Sequence, residues 1–156
     1  MSPLARYVLI LVLFFLMTHP ARADDTLTVK VEKWAGDVHP TTVVTLEGII
    51  VVNQVYETLL TLGPGSRVLP NLVKSWDFDR EKNQFRFQLE PGLKFSDGTL
   101  LTSADVKRTF EAIIKSGRFK NFDKILGAAA YREGQTKDVA GFQTLSKTEF
   151  AIRASA

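Results

Sequence analysis

The residues that could carry chemistry in this chain are few and widely spaced. The chain has no cysteine and two histidines, of which only His39 lies beyond the first 23 residues. A nucleophilic hydrolase needs a nucleophile beside a base, and no G-x-S-x-G motif is present. A lone histidine is more often a hydrogen-bonded loop residue than a metal ligand, since a metal site needs several ligands at suitable spacing. We therefore predict no enzymatic activity, no metal and no cofactor.

The acidic residues Asp77, Asp79 and Glu81 have the alternating spacing of a calcium-binding loop. However, Lys82 stands where such a loop needs glycine, and Gln88 stands where it needs its final bidentate glutamate. We interpret these acids as the solvent-facing side of a β-hairpin and its turn.

Two alternating stretches surround this acidic turn. Trp76 and Phe78 alternate with polar residues, as do Phe85, Phe87 and Leu89, which is the pattern of half-buried strands. We predict an antiparallel hairpin with both aromatic rows on one buried face. Phe85 would then point into the core and Gln84 into solvent.

A short third strand is predicted around Leu93–Phe95, because Pro91-Gly92 and Asp97-Gly98 bracket it as turns. A helix follows. Thr102 and Asp105 have the spacing of a capping box, so the helix should begin at Ser103 and end at Gly117. Its predicted apolar stripe consists of Val106, Phe110, Ile113 and Ile114.

Apolar spacing and turn residues also predict elements in the remaining stretches. Leu27, Val29 and Val31 alternate with polar residues and predict a first strand. The segment Thr42–Val55 has helical spacing but many β-branched residues, so its residues alone allow a helix or a strand. Leu62–Ser66 is predicted to be a turn between strands. A last hairpin is predicted from Val139–Leu145 and Phe150–Ile152.

Composition places the chain among ordinary globular proteins: it has 156 residues, of which 45% are hydrophobic and 24% charged. Residues 1–23 have the parts of a secretory signal peptide: Arg6, the apolar run Tyr7–Met17, and Ala21-Arg22-Ala23 as a cleavage site. The apolar run of 11 residues is shorter than the about 20 that a membrane-spanning helix needs. We expect cleavage before Asp24 and no lipid anchor, since lipidation at this site requires cysteine.

The net charge of +3 does not indicate nucleic-acid binding. Arg6 and Arg22 lie in the signal segment, and the remaining 18 basic and 17 acidic residues leave +1. A nucleic-acid partner would require a concentrated basic face.

The order of several motifs resembles a known family. These motifs are P-N-L-V-K-S-W from Pro70, L-E-P-G-L-K-F-S-D-G from Leu89 and L-T-S-A-D-V from Leu101, with V-Y-E-T-L upstream and I-L-G-A and A-G-F downstream. Their succession is similar to the family 5 extracytoplasmic solute-binding proteins, the dipeptide-, oligopeptide- and nickel-binding components of ABC importers. The resemblance also favours the helix over the strand for Thr42–Val55.

The resemblance implies a partial α/β fold of the type II periplasmic-binding-protein class. Residues 24–156 would supply the strand that opens lobe one and the β-rich subdomain inserted in it, and would stop before lobe one is complete and before lobe two. In the family, a loop after the first strand lines the solute cleft, and strand ends are where α/β folds place ligands. The resemblance therefore implies that Trp34, Asp37 and His39 contact the ligand, although Asp37 and Pro40 lie further apart than the family's usual D-P pair. A lone tryptophan such as Trp34 is also typical of a core position.

The function implied is that of a periplasmic solute-binding component of an ABC importer. Its partners would be a peptide or similar small solute and, through the complete protein, the permease subunits in the inner membrane. We expect the truncated chain not to bind ligand fully by itself. The alternative is an exported, non-enzymatic interaction module made of the β-rich subdomain. A hydrolase built on paired carboxylates is a more distant third.

Overall fold

The computed structural model describes residues 26, 28, 30, 39–43 and 45–155. The chain divides into two units, Met1–Val31 and Glu32–Ala156. All helices and strands among the described residues belong to the second unit. The predicted first strand at Leu27, Val29 and Val31 lies on residues outside the described ones.

The second unit contains three α-helices and six β-strands in its described part. The helices are α1 (Leu46–Val55), α2 (Ser103–Ser116) and α3 (Ala128–Arg132). The strands are β1 (Leu60–Leu62), β2 (Val68–Pro70), β3 (Val73–Asp79), β4 (Gln84–Leu89), β5 (Phe142–Thr144) and β6 (Glu149–Arg153). Two 3-10 helices, Pro64–Ser66 and Lys120–Lys124, complete the set.

The strands form one two-stranded and one four-stranded antiparallel sheet. β1 pairs with β2, and the larger sheet has the order β3-β4-β6-β5. Trp76 lies opposite Phe87, and Phe78 lies opposite Phe85, so both aromatic rows share one face. The predicted hairpin, the predicted turn after Leu62 and the predicted last hairpin are all confirmed.

The core is built on this aromatic face. The ring centroids of Phe87 and Phe150 lie 5.0 Å apart, and those of Phe150 and Phe142 lie 5.3 Å apart. Phe110 of α2 reaches the same row, 5.3 Å from Phe142. The buried core consists of Val73, Phe87, Leu89, Val106, Ile114, Ile125, Ala128, Val139, Phe142 and Phe150.

The prediction that the whole aromatic face is buried is wrong at one end. Trp76, Phe78 and Phe85 remain 37–39% exposed, whereas Phe87, on the same strand as Phe85, is buried against Phe150. Strand alternation identifies a face, whereas burial depends on what packs against it.

The predicted helix Ser103–Ser116 is confirmed with its capping box and with Gly117 as its left-handed C-cap. The Asp105 carboxylate accepts hydrogen bonds from the Thr102 backbone N–H at 2.8 Å and from the Thr102 hydroxyl at 2.6 Å. These bonds satisfy a donor at the helix start and put negative charge at its positive end.

The predicted strand at Leu93–Phe95 is wrong. The segment makes a single bridge, Lys94 to Leu100. The Asp97 carboxylate accepts hydrogen bonds from the Thr99 backbone N–H at 2.8 Å and from its hydroxyl at 2.7 Å. The resulting tight turn reverses the chain before a regular strand can form.

Candidate functional site

Of the three predicted ligand contacts, His39 is among the described residues. Trp34 and Asp37 lie outside them, so their place near a ligand stays a prediction. His39 is exposed and lies directly before the turn that leads into α1.

The turn after His39 is held by its carbonyl oxygen. This oxygen accepts hydrogen bonds from the backbone N–H groups of Thr42 and Val43, each at 3.0 Å, and from the Thr42 hydroxyl at 3.2 Å. The Nδ1 atom of the His39 ring lies 2.8 Å from the Thr41 hydroxyl oxygen. The ring is thus oriented by its own turn, as expected for a hydrogen-bonded loop histidine.

The same turn is attached to the start of α1. The Thr45 side chain accepts a hydrogen bond from the Gly48 N–H at 3.2 Å and caps the helix. Gly48 is buried, and a Cβ atom at this position would collide with the Val43 side chain. Glycine therefore allows the turn to pack closely on the helix.

One contact joins this turn to the segment after α2. The Arg118 guanidinium donates a hydrogen bond to the Thr42 carbonyl oxygen at 3.4 Å. The His39 turn therefore has hydrogen bonds within itself and one with the segment after α2.

The acidic hairpin shows no geometry of a metal site. The Asp79 carboxylate accepts from the Lys82 backbone N–H at 3.0 Å and lies 3.1 Å from the Lys82 ammonium. These bonds hold the pKa of Asp79 below its ordinary value. No group of three His, Cys, Asp or Glu side chains within the described residues could hold a metal ion.

The polar face of the same hairpin borders a shallow cavity of about 290 Å³. It is lined by Asp77, Asp79, Lys82, Gln84 and Arg86. Pockets that bind small molecules are mostly apolar and usually larger, so we interpret this cavity as part of the solvated face of the sheet.

A buried hydroxyl in the described region has a structural role. Ser103 is fully buried, and its hydroxyl donates to the Ser146 carbonyl oxygen while its N–H donates to the Lys147 carbonyl oxygen at 2.8 Å. It ties the start of α2 to the loop between β5 and β6.

Sequence reasoning missed an exposed apolar surface on α1. Leu46, Ile49 and Ile50 are 70%, 43% and 41% exposed. Their spacing of three and four residues puts them on one side of the helix. The spacing was visible in the sequence, but it indicated a helix without indicating which side packs inward.

In the described part of the chain, no helix has the length and hydropathy of a membrane span. This finding concerns helices Leu46–Val55, Ser103–Ser116 and Ala128–Arg132.

Solved structures share this fold. The Escherichia coli murein tripeptide binding protein MppA matches with a TM-score of 0.68 and 19% identity, covering 76% of this chain and 25% of that one. An oligopeptide ABC transporter protein, OppAIV, from Borrelia burgdorferi matches with a TM-score of 0.66 and 25% identity, covering 73% and 24%. OppA of Listeria monocytogenes bound to peptide matches with a TM-score of 0.69 and 18% identity, covering 76% and 24%.

This chain spans about a quarter of the length of these solved relatives. A comparison with curated protein sequences gave no significant match.

The family model for bacterial extracellular solute-binding proteins, family 5 (Middle), matches residues 67–156. This segment is more than half of the 156 residues. It contains the motifs from Pro70 to Val106 and the hairpin of β5 and β6. The chain belongs to the family 5 bacterial extracellular solute-binding proteins.

Proposed function

We propose that this chain is part of the periplasmic solute-binding component of an ABC importer for peptides. The family match over residues 67–156 carries the proposal. Two of the solved relatives described above are named as a murein tripeptide-binding and an oligopeptide-binding protein, and the third is described as bound to peptide. These names support a peptide over other small solutes.

The loop at Trp34, Asp37 and His39 is proposed as the ligand-contacting surface within this chain. The exposure of His39 and the hydrogen-bonded turn that orients its ring support this role.

We propose that residues 24–156 alone do not retain peptide. Solute-binding proteins that close two lobes around a ligand bury it from both sides, and high affinity depends on such burial. The part of residues 24–156 that matches these relatives covers about a quarter of their length, and a part of that size supplies one side of a two-lobed cleft at most.

The proposed location is the periplasm, with residues 1–23 removed as a signal peptide. The intact mass of the exported protein tests this step. A mass that begins at Asp24 supports it, and a mass that retains residues 1–23 contradicts it.

Calorimetric titration with a mixture of di- to pentapeptides tests the binding proposal. We expect no saturable heat from purified residues 24–156. Tight, saturable binding would show that this chain is a self-sufficient receptor. If binding is found and the loop contacts the ligand, His39→Ala should weaken the binding. Gln143→Ala, which changes an exposed residue of β5, should leave the binding unchanged.

One observation favours a second candidate function, an exported protein-interaction module. Trp76, Phe78 and Phe85 form an exposed aromatic group, with the rings of Phe78 and Phe85 4.5 Å apart. Aromatic residues are enriched at interface cores. A Phe78→Ser variant that loses a periplasmic partner, in a cell where peptide uptake is unchanged, would favour this candidate.

A further inference from the structure

Asp97 and Gly98 form a chemically labile pair in the turn before α2. An aspartate followed by glycine can rearrange without an enzyme, because the glycine amide nitrogen carries no neighbouring side chain that hinders its attack on the aspartate side chain. Asp97 is the only aspartate or asparagine of the sequence that a glycine follows. Both residues are exposed, so water can reach them. The pair is therefore a candidate site of spontaneous covalent modification.

The rearrangement has two steps and needs no oxidant, reductant or cofactor. First, a bond forms between the Gly98 nitrogen and the Asp97 Cγ atom while a C–O bond of the protonated carboxyl group breaks. The hydroxyl leaves with the amide proton as water, and a succinimide ring remains. Water then opens the ring. Addition at Cγ restores aspartate, whereas addition at the main-chain carbonyl carbon of Asp97 gives isoaspartate, in which the main chain runs through Cβ and Cγ.

The conformation of the turn selects the glycine that makes this pair labile. Gly98 has a φ of 86°, in the left-handed region that favours glycine. A Cβ atom built at this position would meet nothing within 4 Å, so the backbone angle rather than a lack of space excludes other residues. The residue that shapes the turn is thus also the one that makes Asp97 reactive.

Hydrogen bonds hold both reacting groups in their unreactive forms. The Gly98 N–H donates to the Phe95 carbonyl oxygen at 2.9 Å, whereas the attack requires this nitrogen to give up its proton. The Asp97 carboxylate accepts from the Thr99 hydroxyl at 2.7 Å and from the Thr99 N–H at 2.8 Å. Such bonds to an ionised acceptor are stronger than bonds to a neutral one, so they are weakened when the carboxylate becomes part of a neutral ring. The same bonds, the hydroxyl first, lower the pKa of Asp97 and keep its carboxyl group ionised.

We propose that Asp97-Gly98 is a masked isomerisation site, which is stable while the turn is closed and converts to isoaspartate when the turn opens. Thr99 is the residue that masks it, since both of its hydrogen bonds end on the reacting carboxylate. The inference does not depend on which solute the protein binds.

Conversion would also distort the turn. Isoaspartate adds one carbon atom to the main chain inside a loop that two hydrogen bonds close, from the Phe95 N–H to the Thr99 carbonyl oxygen and from the Leu101 N–H to the Leu93 carbonyl oxygen, each at 2.9 Å. Leu93 and Leu101 are partly buried against the core. Molecules that contain isoaspartate should therefore unfold at lower urea concentration than the unmodified chain.

The test is a time course of isoaspartate formation in the purified chain at neutral pH. Peptide mapping against synthetic standards separates aspartate from isoaspartate at position 97. We expect the folded chain to convert at least about tenfold more slowly than a capped peptide of residues 93–101, because only molecules with an open turn react. In denaturing urea, the chain should convert at the rate that the peptide shows in the same urea.

A pair of matched variants tests the role of Thr99. Thr99→Val removes the hydroxyl donor and should speed conversion at least about threefold. Thr144→Val makes the same change at an exposed threonine of β5 and should leave the rate unchanged. Equal rates for the folded chain and the peptide would overturn the proposal, and so would equal rates for the two folded variants. If circular dichroism shows that Thr99→Val is unfolded, Thr99→Ala replaces it, and the comparison of the folded chain with the chain in urea needs no variant.

Discussion

Helices α1 and α2 differ in how much of each helix is buried in the core. α2 puts Val106 and Ile114 into the core and carries charged residues such as Lys107 and Arg108 outside. α1 has exposed Asn53 and Gln54 beside its apolar residues and buries Gly48 and Val52. Neither of these two buried residues belongs to the main core cluster of the described residues. α2 therefore packs into that core, whereas α1 does not.

The largest difference in the free energy of unfolding should come from the same substitution, Ile to Ala, made in each helix. Ile114 is 1% exposed, so Ile114→Ala should lower the free energy of unfolding by about 3 kcal/mol through lost burial and a cavity. Ile49→Ala, at a 43% exposed position, should cost less than about 1 kcal/mol. Urea unfolding of both variants measures the difference, and equal costs would contradict the contrast.

A smaller effect is expected at the start of α2. The Thr102 hydroxyl, which donates to the Asp105 carboxylate, is the largest cause that lowers the pKa of Asp105 from its ordinary value of 3.8. Asp105→Ala should cost about 1 kcal/mol at neutral pH through loss of the capping box.

The pH dependence of that cost follows from the lowered pKa. The stabilisation by Asp105 is fully present above 3.8 and is lost as the pH falls through the folded-state pKa. The gap between the unmodified chain and Asp105→Ala should therefore shrink in acid. A gap that stays constant from neutral pH to well below the folded-state pKa of Asp105 would contradict this account of the cap.

The smallest effect is expected at the matching cap of α1. Thr45→Ala removes the hydrogen bond to the Gly48 N–H, which should destabilise the helix itself by about 1 kcal/mol. The free energy of global unfolding should change by less than about 0.5 kcal/mol, because a weakly packed helix opens before the core does. A global effect as large as that of Asp105→Ala would show that α1 unfolds together with the core.

Features with short-range causes could be predicted from the sequence. The turn around Lys82, the cap at Thr102 and the stop at Gly117 each depend on a few neighbouring residues, and the structure contains them. The helix at Thr42–Val55 could not be settled by its residues alone, because its β-branched residues suit a strand equally.

Burial could not be predicted to the same extent. Phe85 and Phe87 have the same place in the alternating pattern, yet Phe85 is 39% exposed and Phe87 only 9%. The Phe87 ring lies against the buried Phe150, whereas the Phe85 ring lies against the exposed Phe78. The segment Leu93–Phe95 likewise forms a single bridge and no regular strand, because the side chain of Asp97 holds a tight turn after it. For the candidate site, the sequence predicted the loop position of His39, whereas its hydrogen bonds with Thr41 and Thr42 required the structure.

The contrast between the helices is tested most directly by amide hydrogen exchange on purified residues 24–156. Helices shorter than about 12–15 residues are marginal without packing, and α1 has 10 residues, of which Leu46, Ile49 and Ile50 are exposed. We predict that amides in the second half of α1 exchange at least about 100-fold faster than those around Ile114 in α2. Equal protection of the two helices would contradict the claim that α1 is weakly packed whereas α2 belongs to the core.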